Sequence, residues 1–171
     1  MSNSYNFMVK DKRAEKKRKL KFGFFSFTCC EGCIVVFIES LNTKFDEWIE
    51  KIDIEVFRAL KTKEEFEYLD YAVVEGAIST ESEVRKLKEI REKSKKLIAL
   101  GSGACNGYQS NQRNKFGIDK QKEIKDLIEK FHQNKTIEPL SKYVKVDDQI
   151  QGCPIDEADL IKKIDSYIKN A

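Results

Sequence analysis

Hydrophobic residues recur along the chain with two different periods. Short apolar runs are typical of buried strands, and in one of them Ile52, Ile54 and Val56 alternate with polar residues. Strands are therefore predicted over residues 21–27, 51–60, 71–74 and 97–100, and residues 139–146 also have extended character.

Segments with a helical period of apolar residues separate these strands. Val84, Leu87 and Ile90 fall on one face of a charged segment that Ser79 and Thr80 could cap. Helices are predicted from about residue 33 to 41 and over residues 81–95, 119–131 and 156–168. Alternating strands and helices imply a parallel sheet covered on both faces, and since no repeat or linker divides the chain, we expect one α/β domain.

Composition excludes two classes of protein. Of 171 residues, 40% are hydrophobic and 11% aromatic, so the chain can bury a core and is not wholly disordered, although 36% of its residues are charged. The longest wholly apolar run, residues 33–38, is far shorter than the roughly 18 residues that span a bilayer. The N-terminus has no apolar signal segment, so we expect a cytoplasmic protein without disulfides.

The net charge of +3 is concentrated at the N-terminus. Residues 1–21 contain eight basic and two acidic residues, whereas the remaining 150 contain 24 basic and 27 acidic ones. We expect a flexible basic arm, residues 1–20, ahead of a mildly acidic domain, residues 21–171. A nucleic-acid or membrane-surface role for the arm is the alternative. No aromatic platform or zinc-finger spacing accompanies it, so no nucleic-acid partner is expected.

Four of the five cysteines lie next to glycine or proline where a predicted strand ends or a predicted helix begins. Cys30 and Cys33 follow the first strand, Cys105 lies in the loop after the fourth, and Cys153 precedes the last helix. Loops at the carboxyl ends of parallel strands converge at one edge of a sheet. These cysteines are therefore expected to meet.

Four convergent thiolates indicate zinc or an iron–sulfur cluster. Structural zinc usually takes two local pairs of ligands, whereas here one C-x2-C pair precedes two isolated cysteines, after gaps of 71 and 47 residues. A cluster is favoured because it is larger than one ion and accepts ligands from several loops. Taken alone, the C-x2-C pair could equally be a redox dithiol or two inert thiols.

Four motifs, in this order, resemble the small subunit of nickel–iron hydrogenases. The greatest resemblance is to the cytoplasmic archaeal methyl-viologen-reducing and sulfhydrogenase delta types, and the same fold family includes the 20 kDa subunit of respiratory NADH:quinone oxidoreductase. The motifs are residues 30–33 (Cys-Glu-Gly-Cys), 73–77 (Val-Val-Glu-Gly-Ala), 97–105 and 152–154 (Gly-Cys-Pro).

The resemblance implies a flavodoxin-like domain that holds one proximal 4Fe-4S cluster beside the active site of a separate NiFe large subunit. Carried over by position, the ligands would be Cys30, Cys33, Cys105 and Cys153. The chain would then be a non-catalytic electron-transfer subunit of an oxidoreductase, with no membrane span and no substrate site of its own. It would pass electrons between the large subunit and a further iron–sulfur or flavin subunit. We expect only one cluster because no cysteine follows Cys153.

The resemblance also suggests roles for residues around the cluster. Glu75 matches an acidic residue near the cluster, or is an exposed loop carboxylate. Arg113 could offset thiolate charge, contact the large subunit or form a surface salt bridge. Cys29 is a possible substitute for Cys30 or Cys33 as a ligand, or a small buried hydrophobic residue. His132, the only histidine, is not expected to be a ligand.

Two other functions stay open on the sequence alone. One is a cluster-bearing subunit of a complex related to respiratory NADH:quinone oxidoreductase. The other is a non-catalytic interaction module in which the four thiolates bind a structural zinc ion.

Overall fold

A five-stranded parallel sheet forms the centre of the molecule in the computed structural model, which describes residues 18–61 and 65–170. In chain order the strands are β1 (Leu20–Ser26), β2 (Ile52–Phe57), β3 (Leu69–Glu75), β4 (Ile78–Thr80), β5 (Ser94–Leu100), β6 (Gln133–Glu138) and β7 (Asp148–Ile150). The sheet has the order β2-β1-β3-β5-β7, and β4 pairs with β6 in a separate antiparallel ribbon.

The order of the strands identifies the fold. Counted along the chain, the five sheet strands are arranged 2-1-3-4-5, which is the flavodoxin-like order, and every neighbouring pair is parallel. The predicted flavodoxin-like α/β fold is therefore confirmed. The order reverses between β1 and β3, and folds of this kind bind ligands at the carboxyl ends of the strands at that point.

The described residues form five α-helices and two short 3-10 helices. The α-helices are α1 (Gly32–Ile49), α2 (Glu81–Glu92), α3 (Gly101–Asn106), α4 (Ile118–Lys130) and α5 (Glu157–Lys169), and the 3-10 helices cover Ser110–Lys115 and Leu140–Lys142. Helices α1 and α5 cover one face of the sheet, and α2 and α3 cover the other. None of the described helices has the length and apolar composition needed to cross a membrane.

The two faces of the sheet have different cores. Under α1 and α5 the core is aromatic, with ring centroids of Phe24 and Phe37 separated by 4.1 Å and those of Tyr71 and Tyr167 by 4.9 Å. Under α2 it is aliphatic, and its buried side chains include Leu69, Val74, Leu87, Ile90, Leu97 and Ala99. Strand β3 lies between both cores and all seven of its residues are buried, which explains its apolar run without alternation.

Four boundaries differ from the prediction by three residues or more, namely the ends of α1, α2 and β2 and the start of β5; β2 ends at Phe57 and not at residue 60. Helix α1 continues to Ile49 and does not end near residue 41, because Trp48 extends its buried face. Helix α2 ends at Glu92 and not at residue 95, because β5 already begins at Ser94. The first half of β5 was not predicted as a strand because it contains the exposed, charged Lys95 and Lys96 and no apolar run. Of the two predicted caps, both of which belong to β4, Thr80 is the one whose side chain caps α2, by accepting from Glu83 N–H.

The connection between β5 and β7 was predicted least well. The prediction that residues 139–146 are extended is wrong, because a 3-10 helix occupies Leu140–Lys142. The strand lies earlier, at β6, whose polar and partly exposed residues pair only with β4. Residues 101–106, predicted to be a loop, form α3.

Most of the predicted basic arm, residues 1–17, lies outside the described residues. At its end, Arg18 donates to the buried Asp70 carboxylate at 2.8 Å, and Leu20 is the first residue of β1.

Candidate functional site

A cavity of about 380 Å³ lies at the carboxyl edge of the sheet, where the strand order reverses. Its walls come from the loops that follow β1, β3, β5 and β7, so four separated parts of the sequence meet there. We call it the cysteine cavity. Its lining includes the thiols Cys29, Cys30, Cys33 and Cys153 and the glycines Gly32, Gly76, Gly101, Gly103 and Gly152.

Cys33 lies in the first turn of α1 and is buried against Gly101 at the end of β5. A Cβ atom at position 101 would lie less than 3.0 Å from Cys33 Sγ, and Gly101 also has a positive φ of 79°. Both observations require glycine at this position. The next amide, Ser102 N–H, donates to the carbonyl of Gly152 at 2.7 Å and so joins the two loops that flank the cavity.

Glu75, the last residue of β3, caps the beginning of α1. Its two carboxylate oxygens accept from Cys33 N–H at 3.1 Å and from Ile34 N–H at 3.2 Å. Glu31, which directly precedes the helix, makes no side-chain cap and is left-handed, with a φ of 60°. Glu75 is only 3% exposed, so the alternative of an exposed loop carboxylate is wrong. Burial raises the pKa of Glu75, and its bonds to Cys33 and Ile34 oppose that rise.

The thiols differ in burial. Cys29, Cys30 and Cys153 are exposed at the cavity, whereas Cys33 is buried, so the alternative of Cys29 as a small buried hydrophobic residue is wrong. Burial, assisted by the Glu75 charge, raises the pKa of Cys33 to about 12. Partial desolvation, again assisted by Glu75, raises the pKa of Cys29 to about 11 although its side chain reaches the surface. Both are therefore thiols at neutral pH in the metal-free chain. A bound metal would have to displace their protons.

Cys105 has a different environment from the other predicted ligands. It is half-buried in α3, and its Sγ lies 3.6 Å from the carbonyl oxygen of Ala99 and 3.9 Å from that of Ile150. Burial raises its pKa to about 11. Of the five cysteines, the structure brings four to the cavity lining and leaves Cys105 behind it. No three His, Cys, Asp or Glu side chains of the described residues are grouped closely enough to hold a single metal ion.

The remaining predicted residues lie outside the cavity lining. The Arg113 guanidinium donates to the Gln133 side chain and to the Asn134 carbonyl, beside β6. His132 is exposed just after α4 and has a φ of 51°.

One group of site residues was missed at the sequence level. The Thr28 and Ser79 hydroxyls are 2.5 Å apart, and both hydrogen-bond to the Glu83 carboxylate. Glu83 and Thr80 form the capping box of α2, so this network fixes the Thr28–Cys29 turn to the start of that helix. Ser79 and Thr80 were predicted as capping residues, but nothing in the sequence indicated Glu83 or the contact with the first cysteine loop.

Comparison with known proteins identifies the family. The family described as NADH ubiquinone oxidoreductase, 20 Kd subunit, matches residues 30–167. The chain belongs to this family. The match includes all of the predicted ligand positions, and the predicted family membership is confirmed.

Proteins similar to this chain include hydrogenase subunits. Sulfhydrogenase 2 subunit delta of Pyrococcus furiosus is 31% identical over 151 residues, covering 84% of this chain and 60% of that protein. The gamma subunit of coenzyme F420 hydrogenase from Methanosarcina barkeri is 27% identical over 138 residues, covering 80% and 49%. This chain therefore matches only about half of the length of these relatives.

A solved structure shows the same fold over nearly its whole length. A chain in the crystal structure of NAD+-reducing [NiFe]-hydrogenase in the H2-reduced state superposes with a TM-score of 0.78. The sequences are 20% identical, and the match covers 90% of this chain and 93% of that chain.

Proposed function

We propose that this protein is the electron-transfer small subunit of a NiFe-hydrogenase-like complex. In this proposal it holds one proximal 4Fe-4S cluster and relays electrons between a separate catalytic large subunit and a further iron–sulfur or flavin subunit. The observation that carries the proposal is the meeting of cysteines from the β1–α1 and β7–α5 loops in one cavity at the point of strand-order reversal.

The size and lining of the cysteine cavity fit a cluster better than one zinc ion. About 380 Å³ is room for roughly a dozen water-sized groups, since one water occupies about 30 Å³. The thiols surround this space but are not grouped around a single point. Glycines in the same walls leave backbone close to the cavity, and the hydrogen bonds that backbone N–H groups donate to sulfur tune a cluster.

We propose Cys30, Cys33, Cys105 and Cys153 as the ligands. Three of these line the cavity, and the fourth follows Gly103, which also lines it. The Cys105 thiol points towards two carbonyl oxygens. As a thiolate it would have no proton to donate and would be repelled by them, so ligation requires its side chain to leave these carbonyls. Cys29 already lines the cavity and is the alternative fourth ligand.

Residues around the cavity would position the cysteine ligands, and the exposed mouth of the cavity would let a cofactor of another subunit come close enough for electron transfer. A cluster bound here would supply single-electron transfer. Glu75 fixes the Cys33 end of α1, and the Thr28, Ser79 and Glu83 network fixes the preceding turn. The exposed Cys30 and Cys153 place the cavity mouth at the surface, where a cofactor of another subunit can approach.

The relatives favour the hydrogenase proposal over the respiratory alternative, because their names describe hydrogenase subunits. The test is anaerobic purification of the native complex through a tag on this chain. We expect a nickel-containing large subunit to co-purify and hydrogen to reduce a viologen dye. With Cys153→Ser, dye reduction should fall by at least about tenfold while hydrogen–deuterium exchange at the large subunit continues, because exchange needs no electron to leave. A complex without nickel, or undiminished dye reduction by the variant, would contradict the proposal.

A further inference from the structure

Helix α4 differs from the other described α-helices in burying none of its residues. Its sequence nevertheless has an apolar face. Ile118 is 74% exposed and Leu127 is 54% exposed, and Phe131, just beyond the helix, is 61% exposed. Leu127 and Phe131, four residues apart, share one side of the helix, whereas Ile118 lies half a turn away from Leu127 and lines a groove on another side. Exposed apolar side chains on a helix that buries none of its residues indicate an interaction site.

The fold provides little support for this helix. A 13-residue helix is marginal in water, since most helical stability in proteins comes from packing an apolar face. Its neighbour β6 pairs only with the three-residue β4, and a two-stranded ribbon is also marginal alone. The 3-10 helix Ser110–Lys115 holds β6 in place. The Asn114 side chain donates to the Ile137 carbonyl at 2.7 Å and accepts from the Ile137 N–H at 2.9 Å.

A groove of about 650 Å³ runs between α4, β6 and this 3-10 helix. We call it the α4 groove. Its apolar lining residues are Ile118, Ile124 and Ile128. Its charged lining residues, within the described part of the chain, are one carboxylate, Glu129, and four cations: Arg113, Lys122, Lys125 and Lys135. The groove therefore combines an apolar surface with an excess of positive charge.

Arg113 adds a positive charge to the groove that no carboxylate neutralises among the described residues. Its two terminal nitrogens donate to the neutral side chain of Gln133 and to the carbonyl of Asn134. Its Nε is buried and has no acceptor, but a buried atom is out of reach of a ligand in the groove. The guanidinium charge therefore favours an anionic ligand.

We propose that the α4 groove binds an acidic, amphipathic segment of another protein subunit. Its apolar side chains would cover the groove isoleucines, and its carboxylates would pair with the lysines and accept from Arg113. The inference rests on the proposed function in so far as that function requires a complex. A membrane surface or a nucleic acid fits less well, because it would extend over Asp119, Glu123 and Asp126, which α4 exposes outside the groove lining. A short segment confined to the groove meets only one carboxylate, Glu129, among the described lining residues.

The test uses the complete complex and a photo-crosslinking residue, p-benzoylphenylalanine, placed at position 118 or 121. Both positions line the α4 groove and are exposed, so the substitution leaves the core intact. We expect each to crosslink to a segment of another subunit in which Asp and Glu outnumber Lys and Arg. The same residue at position 108, on the rim of the cysteine cavity, reports whether a partner is bound at all.

A matched pair of charge variants gives a second measurement. Lys122→Gln with Lys125→Gln should weaken co-purification of that subunit several-fold, up to about tenfold, and reduce its sensitivity to salt. Arg85→Gln with Lys88→Gln removes two exposed charges from α2 and should have no such effect. Crosslinks from position 108 without any from 118 or 121 would overturn the inference and leave the proposed function intact. A crosslink only to a second copy of this chain, to nucleic acid or to nothing would also overturn it.

Discussion

The carboxylate of Glu75 accepts a hydrogen bond from the backbone N–H of Cys33 at 3.1 Å, which connects the end of β3 to the first turn of α1. Its other oxygen accepts from Ile34, so one buried side chain replaces the cap that Glu31 does not provide. A negative group at a helix N-terminus is stabilising. The same contact determines where the buried thiol of the C-x2-C motif lies.

Replacing Glu75 with Gln should destabilise the protein and alter the cluster. The amide keeps one acceptor oxygen but turns an NH2 group towards a backbone N–H, so a buried donor loses its partner at a cost of about 1–3 kcal/mol in the free energy of unfolding. Loss of the negative charge should also raise the reduction potential of a bound cluster. Denaturant unfolding and a redox titration followed by electron paramagnetic resonance measure the two effects.

Asp70→Asn is the matched control for this variant. Asp70 is also a buried carboxylate of β3 that accepts from a backbone N–H, that of Lys21 at 2.9 Å, but it lies towards the opposite end of the strand and does not line the cysteine cavity. It should lower stability without changing the potential. If Glu75→Gln also left the potential unchanged, Glu75 would have a structural role only.

Gly101→Ala should prevent normal packing of the Cys33 thiol. The added Cβ would clash with Cys33 Sγ, and the positive φ at this position costs a non-glycine residue about 1–3 kcal/mol. We expect lower stability and a lower iron content after reconstitution. Gly117→Ala is the control, because nothing lies within 4 Å of its added Cβ. Its stability should stay within about 1 kcal/mol of the wild type. Equal effects of the two substitutions would refute the packing argument.

Serine substitutions distinguish Cys105 from Cys29 as the fourth ligand. We expect Cys105→Ser to lose the cluster or convert it to a form with fewer irons, and Cys29→Ser to keep about four irons per chain. Iron and sulfide analysis with the visible absorbance spectrum measures both. The opposite result would assign the fourth position to Cys29.

Asp147 should make folding stability sensitive to acid. Burial opposes ionisation of Asp147, but the N–H of Leu97 and the Arg91 guanidinium, at 2.9 and 2.6 Å, outweigh it and lower its pKa from 3.8. A carboxyl group whose pKa is lower when folded stabilises the fold above the unfolded pKa, and this contribution is lost as the pH falls below about 3.8.

Asp147→Asn tests this pH dependence. The variant should be less stable at pH 7 and should lose less stability than the wild type between about pH 4 and pH 2. Arg91→Gln, which removes the other partner of the ion pair, should change the acid dependence in the same direction. If Asp147→Asn and the wild type lost stability in parallel below pH 4, the Arg91–Asp147 pair would not contribute to acid sensitivity.

The parallel sheet could be predicted because its strands are buried on both faces. Tyr71 to Val74 form an apolar run for this reason, and parallel topology then predicted that Cys30, Cys33 and Cys153 would meet. The family motifs lie at the carboxyl ends of these same strands, and each was recognised in the sequence because it follows a predicted strand or precedes a predicted helix. The compartment and the role of the basic arm stay predictions.

Other features depend on contacts that no local pattern encodes. Glu75 and Cys33 are 42 residues apart, so the capping bond between them exists only once β1 and β3 are paired. The direction of the Cys105 side chain depends on the carbonyls of Ala99 and Ile150 after α3 has formed. Strand β6 was not predicted because residues Gln133 to Thr136 contain no apolar residue. Its strand conformation depends on pairing with β4 and on hydrogen bonds from the 3-10 helix Ser110–Lys115.

The metal content of the chain tests the central claim most directly. The full chain should be purified and reconstituted with iron and sulfide without oxygen, and its iron, sulfide and zinc measured per chain. The account predicts about four irons and four sulfides, a brown absorbance and, after reduction, the paramagnetic signal of one cluster. One zinc ion per chain, or iron and sulfide that remain unchanged in Cys153→Ser, would contradict it.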